Sequence, residues 1–125
     1  MTGDDFRHAA LDLHDAVEGA HVGHPDFRAN GRIFAGLDAN EQVGTLNLTP
    51  DEQRELIQMH PDTFAPAAGA WGRQGWTVVR LKTADAPSVR GALLLAWQGV
   101  TSKPRKSASA TRRRTAAKSP ARKRR

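Results

Sequence analysis

The sequence predicts an α+β domain, an antiparallel sheet with helices packed on one side, followed by a disordered basic tail. Three observations predict it. Apolar residues recur at helical spacing in three separate stretches, and shorter strand-like runs lie between them. Those runs are joined by short turns, which suits antiparallel pairing. From Thr101 onward no apolar side chain larger than alanine occurs, so nothing there offsets the entropy of ordering the chain. The expected division is a domain over residues 1–100 and a tail over residues 101–125.

The first helix is capped by Thr2 or Asp4. Phe6, Ala9, Ala10, Leu13, Ala16 and Val17 keep helical spacing, Asp5, Arg7, Asp12 and Asp15 take the wet side, and Glu18-Gly19 ends it. Residues 19–24 hold room for a short strand. Asn30-Gly31 then marks a hairpin, because both positions of a type I′ turn need positive φ. A two-residue turn there sets Phe27 opposite Phe34 and Arg28 opposite Ile33. Asp38-Ala39-Asn40-Glu41 reads as a turn, and a further strand runs over 42–48.

The second helix has a clear start. Thr49 is its N-cap, Pro50 its first residue, and Glu52 completes a capping box. Leu56, Ile57 and Met59 supply apolar surface before Pro61 stops it. Residues 61–75 read as one long Pro/Gly/Ala-rich connection, a length that is usually functional or mobile. Within it, Trp71 and Trp76 read as buried anchors, with Arg73 and Gln74 held out between Gly72 and Gly75. The last strand covers 76–81. Asp85 and Pro87 open a third helix in which Val89, Ala92, Leu93, Ala96, Trp97 and Val100 form an apolar stripe.

Three ordered motifs resemble the MmcQ/YjbR family. Gly23-His24-Pro25-Asp26-Phe27-Arg28 with Asn30-Gly31-Arg32-Ile33-Phe34-Ala35 is similar to its first signature, and Leu48-Thr49-Pro50-Asp51-Glu52-Gln53 to its middle. Ala70-Trp71-Gly72-Arg73-Gln74-Gly75-Trp76-Thr77 is similar to its last. The resemblance spans about residues 4–100. It implies a CyaY/frataxin-like fold, also called a double wing, and DNA binding with no enzymatic activity. It also points to Arg28, Arg32, Arg73 and Gln74 as polar motif positions; with Lys82 these are the domain's candidate nucleic-acid-binding residues, a local patch for DNA. The alternative is that these arginines are structural, packing their stems and pairing with acids.

Charge divides the chain. The net charge is +6, yet the first 100 residues hold 8 basic and all 13 acidic residues, a net of −5. Residues 101–125 hold 11 Lys or Arg and no acid. Lys103, Arg105, Lys106, Arg112, Arg113, Arg114, Lys118, Arg122, Lys123, Arg124 and Arg125 can each displace a counterion from a nucleic acid. Lys118-Ser119-Pro120-Ala121-Arg122-Lys123 resembles the Ser-Pro-basic repeats of linker-histone tails. The tail has no aromatic residue for base stacking, so its contacts are expected at phosphate. The expected partner is nucleic acid, DNA favoured over RNA. The competing reading is a solubilising tail, or one that folds back on the acidic body. For the body, the competing reading is a small-molecule or protein-binding domain tethered to nucleic acid by the tail.

Other classes find little support. There is no cysteine, hence no disulfide and no thiolate metal site. Met1-Thr2-Gly3-Asp4-Asp5 lacks the runs of a signal peptide, and no apolar run approaches a membrane span. A cytoplasmic, nucleoid-associated protein is expected. His8, His14, His21, His24 and His60 form no His-Glu-x-x-His pattern, and His21 and His24, three apart in a strand or turn, fall on opposite faces if that segment is extended. Asp4, Asp5, Asp12 and Asp15 sit where frataxin-like proteins carry an iron-binding acidic ridge, but read more simply as a solvated helix face. No nucleophile elbow or P-loop is present. No enzyme activity, metal or cofactor is expected.

Overall fold

The computed structural model describes residues 1–102. Its elements run α1 (Gly3–Leu11), β1 (Val17–His21), β2 (His24–Ala29), β3 (Arg32–Leu37), β4 (Val43–Asn47) and α2 (Pro50–Met59). Then follow β5 (Phe64–Pro66), α3 (Gly69–Gln74), β6 (Trp76–Arg80), a 3₁₀ turn (Leu81–Thr83) and α4 (Ala86–Thr101). The six strands form one antiparallel sheet in the order β1-β2-β3-β4-β6-β5. α4 and α1 cover the middle of one face, and α2 packs over β5 and β6. The α+β architecture with helices on one side is therefore as the sequence predicts. The basic tail from Lys103 on lies outside the described residues, whereas Thr101 belongs to α4.

The core lies between the sheet and its helices. Phe6, Ala9 and Ala10 of α1 meet Phe27, Phe34 and Leu46 of the sheet, with Val89, Ala92, Leu93, Ala96 and Val100 of α4 closing over them. The caps fall where the sequence sets them. Thr2 with Asp5 and Thr49 with Glu52 form reciprocal capping boxes, and the Asp85 carboxylate accepts from Ser88 N–H at 3.0 Å.

Several expectations need correction. α1 ends at Leu11, so Ala16 and Val17 are not helical, and Val17 instead opens β1. Asp12 and Asp15 thus lie beyond the helix, while Asp4 pairs with Arg7 and Asp5 caps Thr2. No acidic ridge runs along α1. The hairpin turns at Asn30 and Gly31 with φ of 56° and 74°, and Arg28 does face Ile33. A β-bulge then shifts the register, so Phe27 faces Ala35 and not Phe34. The extra residue lets Phe34 and Ala35 both be buried, and Phe27 stacks on Phe6 at 6.1 Å. His21 and His24 are register partners across β1 and β2, not members of one strand. The stretch 61–75 is no plain loop: it holds β5 and α3, elements too short to leave a periodic signal. Among the described residues, no helix is long and apolar enough to cross a membrane.

Candidate functional site

The joint between α3 and β6 is tightly built. Gly75 closes α3 at φ 114°, a conformation other residues resist, and its N–H donates to Gly72 O at 3.1 Å. A Cβ on Gly75 would fall 1.9 Å from Leu48 O, and one on Gly72 would fall 1.9 Å from Ala67 O. Gln53 of α2 reaches in from below. Its amide nitrogen donates to Gly72 O at 3.0 Å and to Trp76 O at 2.9 Å. Only the amide nitrogen can face two carbonyl oxygens, so both contacts fix the side chain's orientation. Gln53 is buried, and it holds both ends of the tryptophan segment to α2.

The tryptophans are not the buried pair the sequence suggests. Trp71 is 63% exposed, and Trp76 is half-buried. Along β6, Thr77 and Val79 turn into the core, so Trp76 and Val78 lie on the face the helices leave uncovered. Trp71 leans on Trp76 edge-to-face, with ring centroids 6.0 Å apart and planes at 81°. Together with Ile33, Thr45, Ala67 and Ala68 they line an open groove of about 490 Å³ on that face. None of its lining residues is charged. Sequence reasoning missed this groove because it joins β3, β4 and the 67–76 segment, which only tertiary folding brings together. It also missed Gln53, although Gln53 shares a helical face with Leu56 and Ile57 at i+3 and i+4, the one signal that it points inward.

The candidate basic positions of the domain do not form one plate. Arg28 is bound by Asp26, with Nε to Oδ1 at 2.8 Å and Nη2 to Oδ2 at 3.0 Å. Asp26 is buried and, through this fork, holds the Arg28 guanidinium above its usual pKa. Arg32 is half-buried at the start of β3. Arg28 pairs with Ile33 and Ala29 with Arg32, and successive pairs point to opposite faces, so Arg28 and Arg32 diverge. Arg73 and Gln74 are exposed on α3. Gln74, three residues after Trp71, shares its side of the helix, while Arg73 lies about 200° around from it. Three strand spacings, about 14 Å, separate β2 from β6. Lys82 is exposed at the far end of β6 from Trp76.

Other charges are internally engaged. Arg7 meets Glu41 at 2.9 Å, Glu18 at 3.1 Å and Asp4 at 2.6 Å, and Glu41 above all raises its pKa. Arg54 pairs with Asp51. Among the described residues, no group of three or more His, Asp or Glu side chains is placed to hold a metal ion. His60 Nε2 lies 3.2 Å from Ser88 Oγ, a contact the sequence did not signal. The tail positions Lys103, Arg105, Lys106, Arg112, Arg113, Arg114, Lys118, Arg122, Lys123, Arg124 and Arg125 all lie outside the described residues.

Comparison with known proteins places this geometry. A family model described as YjbR matches residues 11–99. The fold is similar to the crystal structure of Deinococcus radiodurans protein DR2400, which carries a DUF419 domain. That match has 26% identity and a TM-score of 0.69, covering 82% of this chain and 80% of that one. It is also similar to a Pseudomonas syringae structural-genomics protein at 16% identity and a TM-score of 0.60, covering 80% of this chain and 99% of that one. No curated protein matches the chain.

Proposed function

The chain belongs to the YjbR family, and from that premise we propose that it is a non-enzymatic DNA-binding protein whose basic tail supplies the affinity. The observation that carries this reading is the division of charge: 11 Lys or Arg without an acid in residues 101–125, against a body of net −5. Phosphate neutralisation provides most sequence-independent affinity, and a body of that sign repels a polyanion at long range. The tail therefore makes phosphate contacts that hold the protein on nucleic acid without reading sequence. Such a protein works in the cytoplasm on the nucleoid.

The body's share of binding does not come from a positive plate. Arg28 is committed to Asp26, and Arg28, Arg32, Arg73 and Lys82 are spread over two faces and two ends of the sheet. One observation favours a second reading, in which the body recognises a partner while the tail tethers it: the uncharged Trp71–Trp76 groove on the uncovered face. The test is fluorescence anisotropy with duplex DNA at several salt concentrations, for the full chain and for a chain ending at Ser102. With about 6–10 phosphate contacts, affinity of the full chain falls by about 10³–10⁵ between 50 and 200 mM salt. The shortened chain is expected not to bind. Unchanged affinity after shortening, or a flat salt response, overturns the assignment to the tail.

A further inference from the structure

We propose that the Trp71–Trp76 groove receives an unpaired base of a single-stranded nucleic acid whose phosphates are held by the tail. The inference rests on the tail reading above and names what the body adds to it. Four observations carry it. Trp71 is 63% exposed, and its ring leans edge-to-face on Trp76 with centroids 6.0 Å apart. The backbone beside it is anchored by the Gln53 amide at Gly72 O and Trp76 O, which lowers the ordering cost of binding. The groove of about 490 Å³ lies within the range of small-ligand pockets, and its lining of Ile33, Thr45, Ala67 and Ala68 beside the two rings carries no charge. This surface matches the apolar face of a base and not a phosphate. Gln74, on the Trp71 side of α3, offers an amide that can both donate to and accept from a base edge.

The end of α4 lies within reach of the groove. α4 ends at Thr101, and Val100 O accepts from the Asn30 side chain at 2.9 Å, which ties the helix end to the β2–β3 turn. In the antiparallel order, β3 begins and β6 begins at that same end of the sheet, so α4 ends at the end of the sheet where Trp76 and Ile33 lie, on the opposite face from them. Residues 103–125 reach at most about 80 Å when extended, so phosphates along one strand and a base in the groove can be engaged together. Bases in a duplex are stacked and cannot enter. Every base has a π-face, so the contact favours single strands without favouring a sequence.

The test uses the full chain with a fluorescein-labelled 15-nucleotide oligothymidylate and with a duplex of equal length. Anisotropy is read for the wild type, Trp71→Ala, Trp71→Phe and a variant with Arg112, Arg113, Arg114, Arg122, Lys123, Arg124 and Arg125 all changed to Gln. Trp71→Ala is expected to weaken single-strand binding by about 5- to 150-fold, Trp71→Phe to retain most of it, and both to leave duplex binding unchanged. Wild-type tryptophan emission is expected to be quenched by the oligonucleotide and not by inorganic polyphosphate. Thermal unfolding of Trp71→Ala, an exposed site, serves as the folding control. Equal single-strand affinity of Trp71→Ala and wild type overturns the groove assignment. If the tail variant still loses binding in that case, the tail reading stands and this inference alone fails. Loss of self-association on Trp71→Ala, seen by sedimentation, overturns it in favour of a second copy as the occupant.

Discussion

Replacing Gln53 by methionine tests whether the tryptophan segment is held as described. Methionine nearly matches glutamine in volume and keeps the helix, so packing changes little. Two hydrogen bonds disappear, to Gly72 O and Trp76 O. Neither carbonyl is orphaned, because Gly72 O still accepts from Gly75 N–H at 3.1 Å and Trp76 O from Ala67 N–H at 2.9 Å. The full penalty for a buried unpaired group therefore does not arise, and each lost bond costs about 0.5–1.5 kcal/mol. The total is about 1–3 kcal/mol. For a domain of this size that lowers Tm by about 5–20 °C. Circular dichroism gives the assay: the far-UV melt reports stability, and the near-UV signal reports the fixed geometry of the Trp71–Trp76 pair. A variant with the wild-type Tm and the wild-type near-UV spectrum refutes the view that Gln53 holds this joint.

Further outcomes follow from single positions. Gly75→Ala meets Leu48 O at a backbone φ of 114°, so it is expected to destabilise by more than about 1 kcal/mol in urea titration. Val22→Asn acts in the other direction. Val22 is 81% exposed and sits at φ 52°, where a β-branched residue is strained, so an Asn-Gly turn there is expected to raise stability by about 1 kcal/mol in the same titration. Asp85 gives a pH signature. The Ser88 backbone N–H, with the Ser88 side chain, holds its carboxyl below the usual range. A depressed folded-state pKa means that the cap's contribution is complete above the unfolded carboxylate range near about 4 and is lost as pH falls through the folded value. Asp85→Asn is therefore expected to flatten the fall in Tm on the acid side of pH 4 while changing little in slope above pH 5.

The parts of the fold legible in the sequence are those fixed by local chemistry. Thr49-Pro50 with Glu52, Asp85 with Pro87, and Asn30-Gly31 each satisfy backbone groups within a few residues, so their signals need no knowledge of the rest of the chain. The misread parts depend on distant partners. The Phe27–Phe34 pairing is lost to a bulge that lets two consecutive residues enter the core. The β1–β2 turn uses Val22-Gly23, where valine contradicts turn propensity, so the strand boundary was blurred. β5 and α3 have three and six residues, too few for a period to show. In the candidate site the WGRQGW motif drew attention for itself, but the exposure of Trp71 and the role of Gln53 follow from how α2, α3 and β6 meet. The family motifs singled out Arg28, Arg32 and Arg73, yet a motif position says nothing of the face on which each would stand.

The junction of α4 with the tail has a mechanical consequence. Any pull on the residues beyond Ser102, such as one from the nucleic acid proposed above, enters the domain at the end of α4. That helix is wedged into the core by Val89, Leu93, Ala96 and Val100, tied to the hairpin by Asn30, and tied to the segment after α1 by Trp97 Nε1, which donates to His14 O at 2.8 Å. Load applied this way is shared by contacts that must all slide at once, not peeled from one strand after another. The helix thus makes a strong mooring: traction on the tail is spread into the middle of the domain, away from the joint where Trp71 stands.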